Sequence, residues 1–558
     1  MYIDKSIIRF DPIFGVNPPQ PLPDVPAYTI ITEGAKNQPE KIAVVCCGKE
    51  ITYRELNELS DRLARQLSAR FKVFKGDRVA TMMPNCIQHS IALFAILKIG
   101  AVMVPCNVMY KPRELNYQLK DSDAKVIIAL DVFNDTIEAA KTNTSTSTVI
   151  LSRLSDFAEN EDEIPPMFAS SKQEIPADRY DLIKLLNEAE SIENYAEIDI
   201  ENDLALILYT AGTTGVSKGV MEAHRNLWAC TSPTVSIYGF TENDINLQIM
   251  PMFHCSGYCL VQLPILFAGG TVIHVPLFNP QNCIDLIRKY KVSIIFAPPT
   301  FFVGIMNTPG FDEATYPDLK ITLSCGAPQP APVRIRWEKI TGKILFDGYG
   351  MTESMCQAAG VLSMPNKYRP GAIGGPFNCE VKVVDSNGEV VPVGAIGEIR
   401  FKGEGVAKGY WKKPEQTQET FLKDGWLCSG DAGYIDEDGF VFFVDRYKDL
   451  IVTSGYNVAP AEVESILMDH SAVKEAAVVG IPDDYKGEAV MAFISVTDES
   501  KNSVKVDDIL KFCKETLSTF KVPKKIQIVD EIPKNAVGKI MRRELRDKLQ
   551  HDTKLKSQ

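Results

Sequence analysis

The sequence has no excess of positive charge and no cysteine pair of the C-x-x-C type. Its 60 lysines and arginines are outnumbered by 72 aspartates and glutamates, which gives a formal net charge of −12. This balance argues against a general nucleic-acid binder and against a protein that adheres to anionic membranes. The 13 cysteines are an odd number, so we expect free thiols in a reducing compartment rather than a disulfide framework.

The sequence also lacks an uninterrupted apolar segment long enough to cross a membrane. Of the two longest apolar stretches, residues 91–104 contain a lysine, and residues 257–278 contain a glutamine, a proline and a Gly-Gly pair. We interpret each stretch as a buried helix followed by a buried strand. Residues 1–20 mix charges with prolines and do not have the apolar core of a secretory signal. These absences predict a cytoplasmic protein without stable membrane insertion.

A metal cluster built from histidine and cysteine side chains is not expected. The nearest candidate is the segment 254–259, in which only Cys255 and Cys259 accompany His254. A structural zinc site normally has four protein ligands, and no second cysteine pair accompanies this one.

The sequence does contain a regular alternation of amphipathic helices and short apolar strands, which begins near residue 51. In the first helix of this run we expect Thr52 to cap the N-terminus, with Glu55 three residues further on. Such alternation is typical of an α/β domain with a largely parallel, buried sheet. Residues 141–200 interrupt it with low-complexity and acidic, proline-containing sequence, and we predict a surface loop there.

The chain is too long for a single hydrophobic core, and past Gly394 it changes to shorter β units. Residues 433–445 predict a hairpin of two apolar strands around an Asp-Gly turn. Helices rich in Glu and Lys and further strands follow, which indicates a second domain of about 110 residues. We therefore predict an N-terminal domain over residues 1–445 and a C-terminal domain over residues 446–558.

Residues 209–219, with the sequence YTAGTTGVSKG, predict a phosphate-binding loop at the end of an apolar strand. Glycines let backbone N–H groups approach a phosphate, and hydroxyls donate further hydrogen bonds. The loop departs from the G-x-x-x-x-G-K-[ST] pattern, because Ser217 precedes Lys218 and Gly219 follows it. An ordinary solvent turn has the same residue types, so the loop alone does not decide its function.

Four further motifs follow in order: DGYGMTE at residues 347–353, SGD at residues 429–431, DRYKDLIVTSGYNVAPAEVE from Asp445 and PKNAVGKIMRREL from Pro533. Together with the 209–219 loop they resemble the adenylate-forming enzymes, and the surrounding sequence resembles the fatty-acyl-CoA ligase branch. The resemblance covers nearly the whole chain. It implies an α/β fold with a large N-terminal domain of α/β subdomains, a β-barrel-like subdomain and a small, mobile α+β C-terminal domain.

The resemblance implies an ATP site assembled from several motifs. The 209–219 loop is expected to hold the β- and γ-phosphates, and Tyr349 to stack on the adenine. Asp431 and Arg446 are expected to contact the ribose hydroxyls. The implied ATP- and AMP-binding residues are Thr210, Gly212, Thr213, Thr214, Gly215, Ser217, Lys218, Gly326, Ala327, Pro328, Asp347, Gly348, Tyr349, Gly350, Met351, Thr352, Asp431, Arg446 and Lys539.

Five residues are implied to have catalytic roles. Thr352 is expected to contact the α-phosphate, and Glu353 to bind Mg²⁺. Lys539 is expected to bridge the substrate carboxylate and the α-phosphate, because two anions that approach each other need a cation between them. Lys448 matches the pivot about which the C-terminal domain rotates between the two half-reactions. His254 is expected to orient groups beside the acyl and thiol sites.

The implied acyl- and CoA-binding residues are His254, Gly257, Thr300, Gly350, Gly455 and Tyr456. Gly350 stands where acetate-specific relatives carry a tryptophan, so the pocket is expected to be open to longer acyl chains. Val452 stands where luciferase-like and phenylpropanoid relatives commonly carry a lysine, which disfavours that branch.

We therefore expect an AMP-forming ligase that converts a medium- to long-chain fatty acid, ATP and coenzyme A into acyl-CoA, AMP and pyrophosphate. A hydroxy-acid ligase (for 4-hydroxybutyrate, for example) or an aryl-acid ligase stays open as an alternative, as does transfer to a carrier-protein thiol. The lysine spacing in the 209–219 loop disfavours an ATP-hydrolysing switch, and the presence of Glu353 and Lys539 disfavours a non-catalytic nucleotide sensor. The expected partners are small molecules and not nucleic acid, and a homodimer stays open.

Overall fold

The computed structural model describes residues 2–3, 21–169, 174–192, 194–210, 217–312, 315–327, 329–356, 359–360, 369, 371–376, 378–453, 456–483, 487–501, 504–534, 540–542, 544–546 and 549. Its contacts divide the chain into two compact units. The large unit comprises Ile3–Val381 and Phe401–Cys428, and the small unit comprises Met1–Tyr2, Lys382–Arg400 and Ser429–Gln558. The domain boundary at residue 445 stays a prediction.

The strands are β1 (Tyr2–Ile3), β2 (Ile42–Cys46), β3 (Lys49–Thr52), β4 (Arg78–Met82), β5 (Val102–Pro105), β6 (Val126–Leu130), β7 (Thr148–Ser152), β8 (Tyr180–Asp181), β9 (Leu204–Thr210), β10 (Lys218–Ala223), β11 (Ile245–Gln248), β12 (Thr271–His274), β13 (Ile294–Ala297), β14 (Ile321–Cys325), β15 (Leu345–Tyr349), β16 (Ala359–Gly360), β17 (Gly375–Pro376), β18 (Glu380–Val384), β19 (Gly397–Lys402), β20 (Leu427–Ile435), β21 (Val441–Arg446), β22 (Ile451–Thr453), β23 (Tyr456–Val458), β24 (Val473–Asp483), β25 (Gly487–Val496) and β26 (Lys525–Ile528).

The α-helices are α1 (Thr29–Asn37), α2 (Tyr53–Arg65), α3 (Ile87–Lys98), α4 (Pro112–Ser122), α5 (Asn134–Ala140), α6 (Leu182–Glu188), α7 (His224–Tyr238), α8 (Leu263–Phe267), α9 (Pro280–Tyr290), α10 (Pro299–Met306), α11 (Ala331–Thr341), α12 (Pro414–Thr420), α13 (Pro460–Met468) and α14 (Val506–Thr516).

Two sheets organise the large unit. One has seven strands in the order β10-β9-β5-β4-β6-β7-β8, and the other has nine strands in the order β17-β16-β15-β14-β13-β11-β12-β2-β3. The pairs in the middle of both sheets are parallel. Helices connect these parallel strands, as crossovers between parallel neighbours require. The predicted α/β fold class is confirmed.

Both long apolar stretches are buried helix–strand pairs, as predicted. All 12 residues of α3 are buried, and the fully buried strand β5 follows it. In the second stretch a short π-helical segment, Gly257–Gln262, continues into α8 and then into the buried strand β12. In the part of the chain that the structure describes, no helix combines the length and the apolar composition needed to cross a membrane.

The prediction of a surface loop over residues 141–200 is wrong for part of that segment. It contains β7, which is buried and pairs in parallel with β6, and also the short strand β8 and helix α6. The apolar run of β7 follows directly after low-complexity sequence and precedes an acidic region. Its four buried residues make the strand part of the core despite these neighbours.

The small unit contains the β hairpin that the sequence predicts, since β20 and β21 pair antiparallel. A second sheet has the order β23-β22-β25-β24, with β26 parallel to β25. Arg542 stabilises this unit from the C-terminal region: its Nη2 donates to both carboxylate oxygens of Glu464, at 2.9 and 2.8 Å. Arg546 forms an ion pair of 2.6 Å with Asp449.

A buried ion pair joins α2 to α3 in the large unit. The side chain of Lys98 has no exposed surface, and its ammonium group lies 2.7 Å from Asp61 Oδ1. The ammonium also donates to Ser60 Oγ at 2.8 Å and to Asn57 Oδ1 at 2.8 Å. Burial lowers the pKa of Lys98 to about 8, although the Asp61 carboxylate opposes this shift. The buried charge of Lys98 is tolerated because its ammonium N–H groups all have hydrogen-bond acceptors.

Removing one partner of this pair is expected to destabilise the large unit strongly. Lys98→Ala leaves the Asp61 carboxylate buried without its cation, and we expect the free energy of unfolding to fall by about 3–5 kcal/mol. Urea unfolding followed by tryptophan fluorescence measures this change. All 4 tryptophans, which are Trp228, Trp337, Trp411 and Trp426, belong to the large unit.

The matched control is Lys75→Ala. Lys75 also pairs with a carboxylate, Asp203 at 2.6 Å, but 46% of its side chain is exposed, so its loss should cost about 1 kcal/mol or less. If both variants lost the same free energy of unfolding, burial would not be the reason that the Lys98–Asp61 pair matters.

Candidate functional site

Four neighbouring parallel strands bring separate parts of the predicted site to one edge of the nine-stranded sheet. They are β15, β14, β13 and β11, in this spatial order. Ser324 of β14 lies opposite Asp347 of β15, and Ala297 of β13 lies opposite Ser324. The carboxyl ends of parallel strands meet at one edge, where open α/β sheets bind their ligands.

The segments that follow these strands carry predicted site residues. His254 follows β11, Thr300 follows β13, and Gly326 and Ala327 follow β14. Tyr349 ends β15, and its ring centroid lies 5.8 Å from that of Phe401. The side chains of His254 and Thr300 are exposed and that of Tyr349 is half-buried, so each remains accessible to a ligand.

Thr352 and Glu353 begin a short 3-10 helix just past β15. Thr352 is buried, with 7% of its surface exposed. The carboxylate of Glu353 accepts a hydrogen bond of 2.8 Å from the hydroxyl of Tyr410, and its backbone carbonyl accepts one of 3.0 Å from Ala407 N. The predicted metal-binding carboxylate is therefore fixed by a segment more than fifty residues further along the chain.

The two flanks of the predicted phosphate loop lie beside each other. Thr210, which ends β9, is paired across the antiparallel ladder with Lys218, which begins β10. Ser217 Oγ donates to the carbonyl oxygen of Thr210 at 2.6 Å, which closes the base of the loop. The ammonium of Lys218 lies 4.7 Å from the centroid of the Tyr410 ring. Tyr410 thus contacts both Lys218 and Glu353.

Glu222 is a buried carboxylate in this region that the sequence analysis did not single out. It lies on β10 two positions beyond Val220 and four beyond Lys218, so the three side chains share one face of the strand. Neither carboxylate oxygen of Glu222 has a hydrogen-bond partner among the described residues. Burial, followed by the charges of Cys255 and Glu353, raises the pKa of Glu222 well above its ordinary value. Strand alternation counted from Lys218 is the signal that points to it.

Asp347 also has a perturbed carboxyl group. Burial raises the pKa of Asp347 to about 6, although the guanidinium group of Arg334 lies 3.7 Å from its carboxylate and opposes the shift. A carboxyl group of this kind changes its charge near neutral pH, so the charge at this strand end depends on pH.

The predicted ribose-binding pair is formed within the small unit. Asp431 of β20 lies directly opposite Arg446 of β21. The guanidinium Nη1 of Arg446 is 2.8 Å from Asp431 Oδ1, and only 4% of the Asp431 side chain is exposed. The hydroxyl of Ser429 accepts a hydrogen bond of 3.0 Å from Asp431 N. The hairpin register therefore explains why these two motif residues meet.

Several predicted residues lie outside the described residues. They are Gly212, Thr213, Thr214, Gly215, Pro328, Gly455 and Lys539. Lys448 and Tyr456 have described backbones only. Gly455 falls between β22 and β23, which pair antiparallel. Lys534 and Ile540, on either side of the segment with Lys539, form an isolated antiparallel bridge.

Two predicted acyl-site glycines are required by close packing. A Cβ atom on Gly257 would lie 2.2 Å from the carbonyl oxygen of Pro251, and one on Gly350 would lie 2.3 Å from that of Cys356. A side chain at Gly350 would therefore displace the turn from Met351 to Cys356, which contains Glu353. Met351 lies within this turn, and Gly348 lies within β15.

The carboxylate of Glu353 suits a hard cation such as Mg²⁺, provided that a ligand supplies the other oxygen atoms. Among the described residues, no group of three or more His, Cys, Asp or Glu side chains is placed to hold a metal ion. Mg²⁺ usually takes one or two carboxylates and completes its shell with substrate phosphates and water. One fixed carboxylate is therefore a sufficient protein contribution.

Comparison with known proteins agrees with this geometry. The AMP-binding enzyme family matches residues 31–411, and the AMP-binding enzyme C-terminal domain matches residues 462–539. The chain belongs to the AMP-binding enzyme family. Its sequence is 35% identical to a long-chain-fatty-acid–CoA ligase of Bacillus subtilis, over 94% of this chain and 95% of the relative.

Solved structures of similar proteins support membership of the AMP-binding enzymes. ATP-bound MatB from Rhodopseudomonas palustris superposes with a TM-score of 0.82 at 30% identity, covering 94% of this chain and 99% of that one. An anthranilate CoA ligase in complex with anthranoyl-AMP superposes with a TM-score of 0.82 at 26% identity, covering 95% of this chain and 98% of that one. The predicted membership of the adenylate-forming enzymes, with the class of acyl-CoA ligase, is confirmed. The roles of individual residues stay predictions.

The contact between Tyr410 and Glu353 leads to a test of the metal site. Tyr410→Phe removes the hydroxyl that fixes the Glu353 carboxylate, and a hydrogen bond to a charged group contributes about 1.5–3 kcal/mol. We expect the Mg²⁺ concentration for half-maximal AMP release to rise about tenfold or more. Titration of MgCl₂ at fixed ATP measures it.

Tyr316→Phe is the matched control, because Tyr316 is equally buried and donates its hydroxyl to the carbonyl oxygen of Phe311 at 3.1 Å. If both variants required the same Mg²⁺ concentration, Tyr410 would not position the metal ligand.

Proposed function

We propose that this chain is an AMP-forming acyl-CoA ligase whose preferred acid is a medium- to long-chain fatty acid. The carboxyl ends of β11, β13, β14 and β15 are neighbours, and they carry the segments implied to bind acid and nucleotide. This observation carries the proposal. The relatives named long-chain-fatty-acid–CoA ligase, at 35% identity over more than nine-tenths of the chain, support the choice of acid.

The first half-reaction overcomes the poor reactivity of a carboxylate. A carboxylate oxygen attacks the α-phosphorus of ATP, which forms an acyl-adenylate and releases pyrophosphate. Thr352 donates its hydroxyl to the α-phosphate, and Lys539 supplies positive charge between the two anions as they approach. Tyr349 offers its ring to the adenine from the end of β15.

The remaining nucleotide contacts come from groups with matching chemistry. Thr210, Ser217 and Lys218 flank the loop that holds the departing β- and γ-phosphates. Asp431 is an acceptor for ribose hydroxyls, because an ionised carboxylate only accepts hydrogen bonds. Glu353 would hold Mg²⁺, which stabilises negative charge on the phosphates when it is bound.

The second half-reaction transfers the acyl group to sulfur. The thiol of coenzyme A attacks the acyl carbonyl, and AMP leaves. The mixed anhydride also reacts with water, so solvent must be excluded between the two steps. His254 orients the reacting groups, Lys448 is the pivot between the two half-reactions, and Gly455 and Tyr456 approach the pantetheine arm.

A second candidate substrate class is supported by one observation. The similarity to an anthranilate CoA ligase, with a TM-score of 0.82, favours an aryl acid with the same machinery. The two classes differ only in the groups around the acyl tail.

We also propose a cytoplasmic location, supported by the 13 cysteines, none of which is joined in a disulfide among the described residues. A homodimer stays a prediction.

A panel of acids tests the substrate class. We expect AMP release with MgATP and coenzyme A to be highest for one alkyl length among saturated fatty acids from acetate to long chains. Position 350 carries a glycine where acetate-specific relatives carry a tryptophan, which predicts that acetate is a poor substrate. A maximum for benzoates or hydroxy acids would contradict the fatty-acid proposal and keep the ligase chemistry. AMP release that does not depend on coenzyme A would contradict the proposal that coenzyme A is the acyl acceptor.

The role of Lys539 is tested on the separate half-reactions. Lys539→Ala should reduce adenylation about 100-fold or more, since it removes a cation from the developing charge. Thioester formation from synthetic acyl-AMP should stay close to the wild-type rate. Single-turnover assays of each step measure both.

Lys534→Ala is the control, because Lys534 is a nearby lysine that forms an ion pair with Glu475. Equal loss of both half-reactions in folded Lys539→Ala would contradict a role confined to adenylation.

A further inference from the structure

Four cysteines gather beside Thr352 in the large unit, although they come from three distant parts of the sequence. Cys255 and Cys259 lie on one helical turn, Cys230 lies on α7, and Cys356 follows the 3-10 helix of Thr352. Cys259 Sγ donates to the carbonyl oxygen of Cys255 at 2.8 Å, and Cys230 Sγ donates to that of Cys259 at 3.3 Å. These two thiols therefore have backbone acceptors.

Cys255 and Cys356 are directed at each other instead. Their sulfur atoms are 2.9 Å apart, so they need to approach by only about 1 Å to reach the length of a disulfide bond. Cys255 Sγ is also 3.6 Å from Thr352 Oγ1. Cys46 and Cys47, in contrast, are adjacent in sequence and their sulfurs are 3.9 Å apart.

The two thiols differ in access and in acidity. Cys255 is buried, whereas Cys356 is partly exposed, so an oxidant in solution meets Cys356 first. The hydrogen bond from the thiol of Cys255 is the main cause that lowers the pKa of Cys356. Thiols of low pKa with partial exposure and a neighbouring cysteine are those that oxidise selectively.

We propose that Cys255 and Cys356 are a thiol modification site, at which a peroxide forms a reversible disulfide that slows adenylation. This inference rests on the proposed ligase function for its effect on activity. The formation of the bond itself does not depend on that function.

The chemistry balances with a hydroperoxide as the oxidant. The Cys356 thiolate attacks one peroxide oxygen, the O–O bond breaks, and a sulfenic acid and hydroxide are formed. The Cys255 thiol then attacks the Cys356 sulfur and expels water. In total, two thiols and one hydrogen peroxide give one disulfide and two waters, and an external dithiol restores both thiols.

The position of the bond explains its effect. Cys255 is the immediate neighbour of His254, and Cys356 closes the turn that contains Thr352 and Glu353: its N–H donates to the carbonyl oxygen of Met351 at 2.9 Å. A disulfide would tie these two segments and take the Cys255 sulfur away from Thr352. Displacements of about 1 Å at reacting groups can reduce rates about 100-fold, so we expect at least a tenfold loss.

The test uses the full chain, reduced with dithiothreitol and then treated with hydrogen peroxide. Non-reducing peptide mapping should show the peptides of Cys255 and Cys356 joined and lighter by two hydrogen atoms. Adenylation with MgATP and a fatty acid should fall at least tenfold and recover with dithiothreitol. Cys356→Ser should form no such bond and should keep its activity after peroxide.

The matched control is Cys428→Ser, because Cys428 is the other partly exposed cysteine, and this variant should be inactivated like the wild type. The proposal is overturned if mapping of the wild type shows no 255–356 bond, or if the bond forms with unchanged adenylation. It is also overturned if Cys356→Ser is inactivated as fast as the wild type. A reduced enzyme that adenylates no acid would refute the ligase function alone, since the mapping still decides whether the bond forms.

Discussion

The parallel register of β11, β13, β14 and β15 is the constraint on which the predicted site depends. Because these strands run side by side, the segments after them must begin at the same sheet edge, although they are far apart in sequence. A shift of one residue in any pair would turn its side chains to the other face. The side chains on both faces of β13 and β14 are buried, so such a shift would disrupt their packing, and the core therefore sets the positions of the segments after these strands.

A second constraint acts through Tyr410, which belongs to the segment Phe401–Cys428 that completes the large unit. Its ring lies beneath the Lys218 ammonium, and its hydroxyl is bonded to Glu353. One aromatic residue therefore contacts the base of the phosphate loop and the predicted metal ligand at the same time. Tyrosine suits this position because it combines a large apolar ring with one polar atom at its tip.

The sequence alone predicts the features that depend on local patterns. The capping box of Thr52 and Glu55 is present, with hydrogen bonds of 3.2 and 2.8 Å between side chain and backbone, and the two buried helix–strand pairs are where periodicity indicates them. The loop predicted over residues 141–200 is partly wrong, because the short apolar run of β7 pairs with β6 although low-complexity and acidic sequence surrounds it. Glu222 could have been found from the strand alternation counted from Lys218. Tyr410 was not identified because it contacts Lys218 and Glu353, which are distant in sequence. No local pattern contains such contacts.

Two of the buried charged residues of the large unit, Lys98 and Glu222, show how a structural group differs from one at a site. The Lys98 ammonium has four protein acceptors, and it accordingly stabilises a helix pair. Glu222 has no hydrogen-bond partner among the described residues, and its surroundings favour the protonated acid. Native proteins rarely leave a buried polar group in this condition without a reason. Glu222 shares the strand face of Lys218, where a ligand or an ordered water can form the hydrogen bonds that its carboxyl group lacks.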